Sequence, residues 1–534
     1  MLERLDKANK TLEAALDSYM KTCQDIYDIY VAGKPINRIP RDIAIDLTKQ
    51  LLAIDLFKKK LELIQSVAGR CSNASPLLVP VHILPLEILA RIFQLLIGDN
   101  CTDRPAIWAL NPPNLQTLMR TCDRWRQVII NSPFLWTHID LKVECGYTTL
   151  PRVNYAKLCV KRVAQMPLDV HIIDLSSSEP PEHSIRTSLV SFITSVAPRV
   201  RSFVFHLNDL IPNVHSLAAF FDNCSPGILT SLQLGLERPQ DRNLVLLDAE
   251  TGVYERVLSA HLSEERFEEI FQGVIALQLD FIHPTRRWTS SAYHGLVELR
   301  LTSWVSQVTE SQFVGILKQS PGLRILECAT SFDDPLEKGI PVDPIPLFDL
   351  EVINLGRNES PVVEDIVRWL GPGVKPLQLL LISPTSFEAC LSAFISRSNI
   401  TRFYCRQREL MRVMYFVHHL PDLKTLVLGY DWLGVRDKNI ESKVAVKGKV
   451  SSSLETLYVT DLNCFNLKRL HKAFSLESLR RVVFYRCSPA ERLEEIVLKI
   501  PVTTRSRIEF VIVPKDDPNP VGEWELFSRR IYDE

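Results

Sequence analysis

The sequence predicts an α/β repeat protein whose repeats follow two helical segments. The expected order is an N-terminal helical hairpin or coiled coil, a small all-α unit, and then a solenoid with parallel strands on its concave side and helices on its convex side. Three observations support this class. At 534 residues the chain is too long for one compact core. Apolar residues follow helical spacing in the first 78 residues, and a short apolar template recurs through the last two thirds.

Composition and charge narrow the function classes. Hydrophobic residues make up 46% of the chain and charged residues 23%, which is typical of globular protein. The formal net charge is -1 without a long basic run, so we expect no nucleic-acid partner. The 12 cysteines form no C-x-x-C pair, which favours free thiols in a reducing compartment. No apolar run approaches the roughly 18 to 20 residues of a membrane span, and no signal peptide precedes the first helix. We therefore expect a cytoplasmic and/or nuclear protein with no membrane partner.

Residues 1–78 predict two amphipathic helices and a linker. A heptad seam runs through the first helix at Leu2, Leu5, Asn9, Leu12, Leu16, Tyr19, Cys23, Ile26 and Tyr30. A second stripe follows at Ala44, Leu47, Leu51, Ile54, Leu61 and Ile64. The two helices can bury each other as an antiparallel hairpin, which the broad apolar face of the second helix favours. The alternative is self-association of the protein through a coiled coil over residues 1–32.

Residues 79–141 predict a small all-α unit with more apolar surface than so few residues can cover. Leu84-Pro85 opens its first helix, since proline suits the first helical turn. A wide apolar face follows at helical spacing, formed by Ile88, Leu89, Ile92, Phe93, Leu95 and Leu96. A second helical pattern repeats it further along, at Leu115, Leu118, Met119, Cys122, Trp125, Val128 and Ile129.

This unit resembles an F-box. The resemblance rests on Leu84-Pro85-Leu86-Glu87-Ile88-Leu89, Ile92-Phe93, Cys122-Asp123-Arg124-Trp125-Arg126 and Leu135-Trp136. It implies docking onto a Skp-type adaptor and, through the adaptor, onto a cullin. The residues expected to bind the adaptor are Leu84, Pro85, Ile88, Leu89, Ile92, Phe93, Leu118, Cys122, Trp125, Leu135 and Trp136. The segment from Gly98 to Pro113 departs from the resemblance, because it is longer than the loop of a compact F-box.

Residues 142–514 carry the recurring template, in which two residues separate the first and second apolar positions and one separates the second and third. Ile139 and Leu141, after Trp136, are expected to begin the first strand. Twelve copies follow, starting at Val200, Leu229, Val274, Leu296, Leu323, Leu350, Leu377, Ile400, Leu423, Leu454, Leu479 and Ile508. Helical stretches lie between them, so each repeat is predicted to consist of a helix, a turn and a strand. The pattern is similar to irregular leucine-rich repeats, although the asparagine that usually follows the template is retained at Asn358 and is mostly missing elsewhere.

Three segments interrupt or follow the repeats. The interval of 45 residues between Leu229 and Val274 predicts either a degenerate repeat or an inserted loop with a helix. Residues 435–453 predict a basic surface loop or small hairpin. Residues 515–534 predict a cap or tail, with Trp524 and Phe527 packing on the last repeat.

Motifs of enzyme chemistry are missing from the sequence. It contains no G-x-x-x-x-G-K-[ST], G-x-G-x-x-G, H-E-x-x-H or G-x-S-x-G. His418 and His419 are adjacent on an expected helix and therefore point to different sides. We predict a protein with no catalytic residues, no cofactor and no metal.

The favoured hypothesis is a substrate receptor of an SCF-type ubiquitin ligase, whose solenoid binds an unknown target protein. The alternative is a repeat scaffold outside ubiquitin ligation. In that case the F-box-like unit is only a structural cap, and the N-terminal hairpin covers Leu84, Ile88 and their neighbours.

Overall fold

The computed structural model describes residues 1–30, 32, 40–73, 79–98, 115–144, 149–174, 183–207, 210–236, 244–247, 263–280, 282–285, 288–337, 340–356, 358, 360–381, 389–406, 417, 419–429, 453–460, 477–487, 500, 502–514, 517 and 519–521. The chain forms two units. The first comprises residues 1–89 with 120–126, and the second comprises residues 90–119 with 127–534. The division falls inside the expected all-α unit. No helix among the described residues is long and apolar enough to cross a membrane.

Two long helices occupy the N-terminus, as predicted: α1 (Leu2–Tyr30) and α2 (Arg41–Asn73). The hydroxyl of Tyr19 on α1 donates to Oε1 of Gln50 on α2 at 3.2 Å, which is a contact expected of a hairpin. Ile26 and Tyr30 on the same stripe are half-buried, whereas no residue of α1 is fully buried. The amino-terminal half of α1 therefore leaves its apolar seam exposed.

The described residues between 80 and 136 form helices and 3-10 turns, as predicted. A 3-10 turn (Pro80–Ile83) precedes α3 (Leu86–Gly98). After α4 (Leu115–Thr121) and α5 (Asp123–Ile130), a second 3-10 turn (Pro133–Trp136) ends the helical part. The long connection expected between the helices, residues 99–114, lies outside the described residues.

The second unit is built on a parallel sheet of 14 strands. The eighteen strands of the described chain are β1 (His138–Val143), β2 (Leu168–Asp174), β3 (Val200–Leu207), β4 (Ser231–Leu236), β5 (Leu244–Leu247), β6 (Ala276–Asp280), β7 (Ile282–Thr285), β8 (Glu298–Val308), β9 (Ile325–Phe332), β10 (Ile345–Leu347), β11 (Val352–Asn354), β12 (Leu370–Pro372), β13 (Leu377–Leu381), β14 (Ile400–Arg406), β15 (Thr425–Gly429), β16 (Thr456–Thr460), β17 (Arg481–Tyr485) and β18 (Glu509–Val513). The order in the large sheet is β1-β2-β3-β4-β6-β8-β9-β11-β13-β14-β15-β16-β17-β18, so strands neighbour one another in chain order. This arrangement is consistent with a leucine-rich-repeat solenoid and confirms the predicted fold class.

Helices connect many of these strands. They are α6 (Thr149–Val163), α7 (His183–Val196), α8 (Leu210–Asn223), α9 (Glu264–Phe271), α10 (Glu310–Gln319), α11 (Ser360–Val367), α12 (Ala389–Ser396) and α13 (Val502–Arg505). The ring of Phe203 on β3 stacks on Phe220 of α8 with centroids 3.7 Å apart. Template residues such as Phe203 thus point to the helices, and we call this side of the sheet the helix face. The opposite side is the second face.

The predicted copies coincide with strands, but two of them have the wrong register. Leu379 of β13 lies opposite Phe403, and Leu381 lies opposite Cys405. The predicted copy Leu377-Leu380-Ile382 is therefore wrong after its first residue, and Leu380 points to the second face. In β18, Phe510 and Ile512 lie opposite the template residues of β17, so the predicted Val511 and Val513 are also wrong by one position.

Strand β2 was not predicted, and β13 was predicted in the wrong register, for the same reason. In both strands the copy of the template is one residue shorter than usual. In β2, Leu168 pairs with Val200 and Val170 pairs with Phe203, with a register shift between them. In β13 the shift comes after Leu377. Each strand has one residue between its first and second apolar positions where the template has two. The first predicted strand was found, and β1 extends it to Val143, two residues beyond the expected boundary at 141.

The interval before Val274 is an insertion with a helix and not a hidden repeat. β4 pairs directly with β6, so no strand of the large sheet lies between them. β5 pairs instead with β7 in a separate parallel pair, and α9 is the helix of this interval. The other small pair is β10 with β12. Apart from Ser453, the predicted loop 435–453 lies outside the described residues.

The asparagine of the repeat pattern, Asn358, links neighbouring repeats. Asn358 is buried, and its Nδ2 donates to the backbone carbonyl of Cys328 on the preceding repeat. Asn399 makes a similar bond to the carbonyl of Val374 at 2.9 Å, but at an exposed position.

We expect Asn358→Leu to lower the free energy of unfolding by about 1 to 3 kcal/mol, because it leaves a buried carbonyl without its donor. The matched variant Asn399→Leu should cost less than about 1 kcal/mol, since water can replace the lost donor. Urea denaturation of both variants measures the difference. Equal losses of stability in the two variants would show that the buried hydrogen bond of Asn358 stabilises the repeats no more than the exposed bond of Asn399.

The described part of the carboxyl-terminal segment packs on the sheet. Val521 is 1% exposed and packs in a cluster with Ile325, Val352, Leu380, Tyr404 and Val427. These residues belong to β9, β11, β13, β14 and β15, and they point to the second face. The segment thus reaches the middle of the sheet and covers part of its second face. Trp524 and Phe527, expected on the last repeat, lie outside the described residues.

Candidate adaptor-binding site

The Leu84-Pro85 pair forms the entry to α3. Leu84 is extended (φ -64°, ψ 138°), as the residue before proline prefers. The carbonyl of Pro85 accepts the N–H of Leu89 at 3.1 Å, the first bond of the helical ladder. Pro85 therefore lies immediately before α3, where its lack of an N–H costs nothing.

The Cys122-to-Arg126 block fixes this entry from a distant part of the chain. Nη2 of Arg124 donates to the carbonyl of Leu84 at 2.8 Å. The Cys122 sulfur, which precedes α5, accepts the backbone N–H of Trp125 at 3.5 Å in the manner of a helix cap. It also lies 3.6 Å from Nε2 of the buried His82. The two blocks that carry the F-box resemblance thus contact each other.

The Leu135-Trp136 pair belongs to the second unit. The indole N–H of Trp136 donates to the carbonyl of Ile129 at 2.8 Å, and the guanidinium of Arg162 on α6 lies 4.8 Å from the ring centroid. Trp136 also takes the first apolar position before Ile139 and Leu141, so it begins the first repeat. Its side chain is part of the core.

Burial separates the eleven predicted residues into three groups. The chain itself buries Leu89, Phe93, Leu118, Leu135 and Trp136. Leu84, Cys122 and Trp125 are half-buried, and Pro85, Ile88 and Ile92 are exposed. We assign the buried group to the folding of this segment.

The exposed residues continue along α3 as one apolar stripe, formed by Pro85, Ile88, Ile92, Leu95 and Leu96. Spacings of three and four place them on one side of the helix. The exposed fraction is 48% for Ile88 and 37% for Ile92, against 0% for Leu89. Leu95 and Leu96 were recognised as part of the apolar face but not as site residues. We call this set the α3 stripe.

Comparison with known proteins identifies the segment that carries this stripe. Residues 81–142 match the family described as F-box-like. No curated protein matches the chain. The F-box-like segment includes all eleven predicted residues and the whole of α3.

A second arrangement, in the repeats, was not predicted. His138 and Asp140 on β1 and His171 on β2 place their ligand atoms within 4.8 Å of one another. Burial lowers the pKa of His138, but the hydrogen bond and charge of Asp140, with the charge of Asp169, outweigh it, and the pKa is raised overall. No metal site is expected from the sequence alone. The signal for this group is a histidine and an aspartate two apart on one strand, opposite a histidine on the next.

The cysteines are unpaired with one another in the described part of the chain, in agreement with the predicted free thiols. The nine cysteines in the described part of the chain are free thiols. Burial raises the pKa of the Cys224 thiol to about 12 and that of Cys159 to about 11. Neither thiol is activated as a nucleophile.

Proposed function

We propose that this protein is the substrate-recognition subunit of an SCF-type ubiquitin ligase. The observation that supports the proposal best is an F-box-like segment whose first helix presents an exposed apolar stripe. Monomeric proteins rarely expose contiguous apolar surface without a partner for it. The partner implied by an F-box is a Skp-type adaptor, which links the chain to a cullin.

The α3 stripe supplies the binding energy in this proposal. Burial of apolar surface contributes roughly 25 cal/mol per Å², less the cost of ordering both partners. Pro85, Ile88 and Ile92 are the central contacts in this proposal, and the half-buried Leu84, Cys122 and Trp125 are further contacts. Leu89 and Phe93 act indirectly, by holding α3 in place.

The protein itself performs no bond chemistry in this role. It holds a target near a charged ubiquitin-conjugating enzyme and so raises the effective concentration of a target lysine. The target binds the repeats, on the second face of the sheet. This activity places the protein in the cytoplasm or the nucleus.

The alternative is a repeat scaffold in which the F-box-like unit only caps the sheet. It expects the N-terminal helices to cover Ile88 and its neighbours. The exposure of Pro85, Ile88 and Ile92 favours the ligase hypothesis, because a cap has no use for an uncovered stripe.

Co-expression with a Skp-type adaptor tests the proposal. We expect one complex of the two chains in size-exclusion chromatography, at equal stoichiometry and stable to moderate salt. If the chains elute separately at micromolar concentration although both are folded, the ligase hypothesis is wrong and the scaffold hypothesis remains.

We further propose that α1 mediates self-association through its exposed seam. Leu5, Leu12 and Leu16 are exposed on one stripe, beyond the part of α1 where Tyr19 contacts α2. Burial of a leucine side chain contributes about 1.5 to 3 kcal/mol. A second copy of α1 is the natural partner for a heptad seam.

Leu12→Glu with Leu16→Glu should therefore weaken self-association at least about 100-fold. Light scattering coupled to chromatography measures the mass of the variant and of the parent protein. Ala14→Glu, two positions along from Leu12 and off the seam, serves as the control and should change nothing. A parent protein that is monomeric at high concentration would exclude this partner.

A further inference from the structure

The three side chains on β1 and β2 form a compact set of ligands. His138 and Asp140 are two residues apart on β1 and therefore point to the same face. Asp140 lies directly opposite His171 in the parallel pair. The register of the first two strands thus brings two imidazoles and one carboxylate together on the second face of the sheet.

Two of the three ligand separations suit a small tetrahedral ion. Nε2 of His138 lies 3.0 Å from Oδ1 of Asp140, and Nδ1 of His171 lies 3.5 Å from the same oxygen. Zinc bonds of about 2.0 to 2.1 Å place neighbouring tetrahedral ligands about 3.3 Å apart. The two separations lie on either side of that value, and the third, between the histidines, is at most 4.8 Å.

Burial gives the set the character of a built site with access from one side. His171 is buried and His138 nearly so, with ring centroids 4.4 Å apart at an interplanar angle of 82°. Asp140 is exposed and leaves a path for an ion and a water ligand. The nearby Asp169 is held by Arg201 at 2.7 Å and is not a fourth ligand.

We propose that His138, Asp140 and His171 bind a zinc ion, with water as the fourth ligand. Two imidazoles and one carboxylate are ligands that zinc accepts, whereas magnesium and calcium prefer oxygen alone. The ion joins the edge strand β1 to β2 and so secures the start of the sheet. This role is independent of adaptor binding, and adaptor experiments do not test it.

Zinc titration of the full chain by calorimetry, after treatment with a chelator, tests the site. We expect one equivalent of zinc to bind the parent protein and to raise its melting temperature. Asp140→Asn and His138→Gln should each weaken zinc binding at least about 10-fold, since even outer-shell changes have effects of that size. Cobalt, used as a second probe, should give the strong visible absorption of a tetrahedral ion in the parent protein and lose it in His138→Gln.

Controls separate this site from zinc bound elsewhere. His419→Gln removes an exposed histidine far along the chain and should leave both the stoichiometry and the melting shift unchanged. Asp140→Asn changes an exposed side chain, so it leaves the core of the sheet intact. If the parent binds no zinc, or if His138→Gln and Asp140→Asn bind it as tightly as the parent, the cluster is a hydrogen-bonded group and the proposal is wrong.

Discussion

Ile88→Asp with Ile92→Asp is expected to abolish binding to a Skp-type adaptor while the protein stays folded. Both side chains lie on the α3 stripe, and anchors of an interface commonly contribute about 2 kcal/mol or more each. Placing two carboxylates in an apolar contact adds a desolvation cost. The dissociation constant should rise at least about 100-fold, which surface plasmon resonance with immobilised adaptor can measure.

A matched variant distinguishes the effect of the position of the two carboxylates on adaptor binding from the effect of the added charge. Phe348→Asp with Val374→Asp introduces the same two carboxylates at exposed apolar positions of the repeats. Adaptor affinity should then equal that of the parent protein. Both double variants should melt close to the parent, because all four side chains are exposed. Undiminished binding by the Ile88 and Ile92 variant would remove the α3 stripe from the interface.

Arg368→Met is expected to destabilise the repeat unit by about 3 to 5 kcal/mol, because it leaves the buried charge of Glu310 without its partner. Nε of Arg368 donates to Oε1 of Glu310 at 2.7 Å, and a second bond runs from Nη2 to Oε2. The same carboxylate accepts the indole N–H of Trp369 and the backbone N–H of Leu336. Urea denaturation followed by circular dichroism measures the loss.

A second substitution should restore much of this stability. Glu310→Gln combined with Arg368→Met removes both charges and keeps one amide oxygen, which can accept from Trp369 or from Leu336 but not from both. Arg324→Met breaks the half-exposed pair with Glu351, 3.4 Å apart, and should cost less than about 1 kcal/mol. If Arg368→Met and Arg324→Met lose equal stability, the buried ion pair contributes no more to the free energy of unfolding than the half-exposed one.

Most of the sheet could be predicted because each strand must place bulky apolar side chains on the helix face. The errors have a local cause. Leu168 and Leu377 begin β2 and β13, in which one residue instead of two separates the first and second apolar positions, so a fixed spacing misses one strand and misplaces the other. Phe510 and Val511 are both half-buried on the last strand, where two similar faces specify register weakly.

The sequence predicts which residues form the apolar face of α3 but not which of them point outward. Helical spacing identified Ile88, Leu89, Ile92 and Phe93 together, yet only the folded chain shows that Leu89 and Phe93 point inward. On a helix with so wide an apolar face, the spacing of the residues does not show which part of the face is buried within the protein and which part is exposed. The histidine cluster was missed because it requires the pairing of two strands, and the second of these was not recognised.

Val521 gives this chain a property that a simple repeat array lacks. In such an array each repeat contacts only its neighbours, and the ends open first. Here the packing of Val521 against Ile325 and Tyr404 closes a long loop that contains β16, β17 and β18. Those strands cannot fray as a free end, because the chain beyond them is held by the middle of the sheet. We therefore expect the last repeats to unfold together with the central ones.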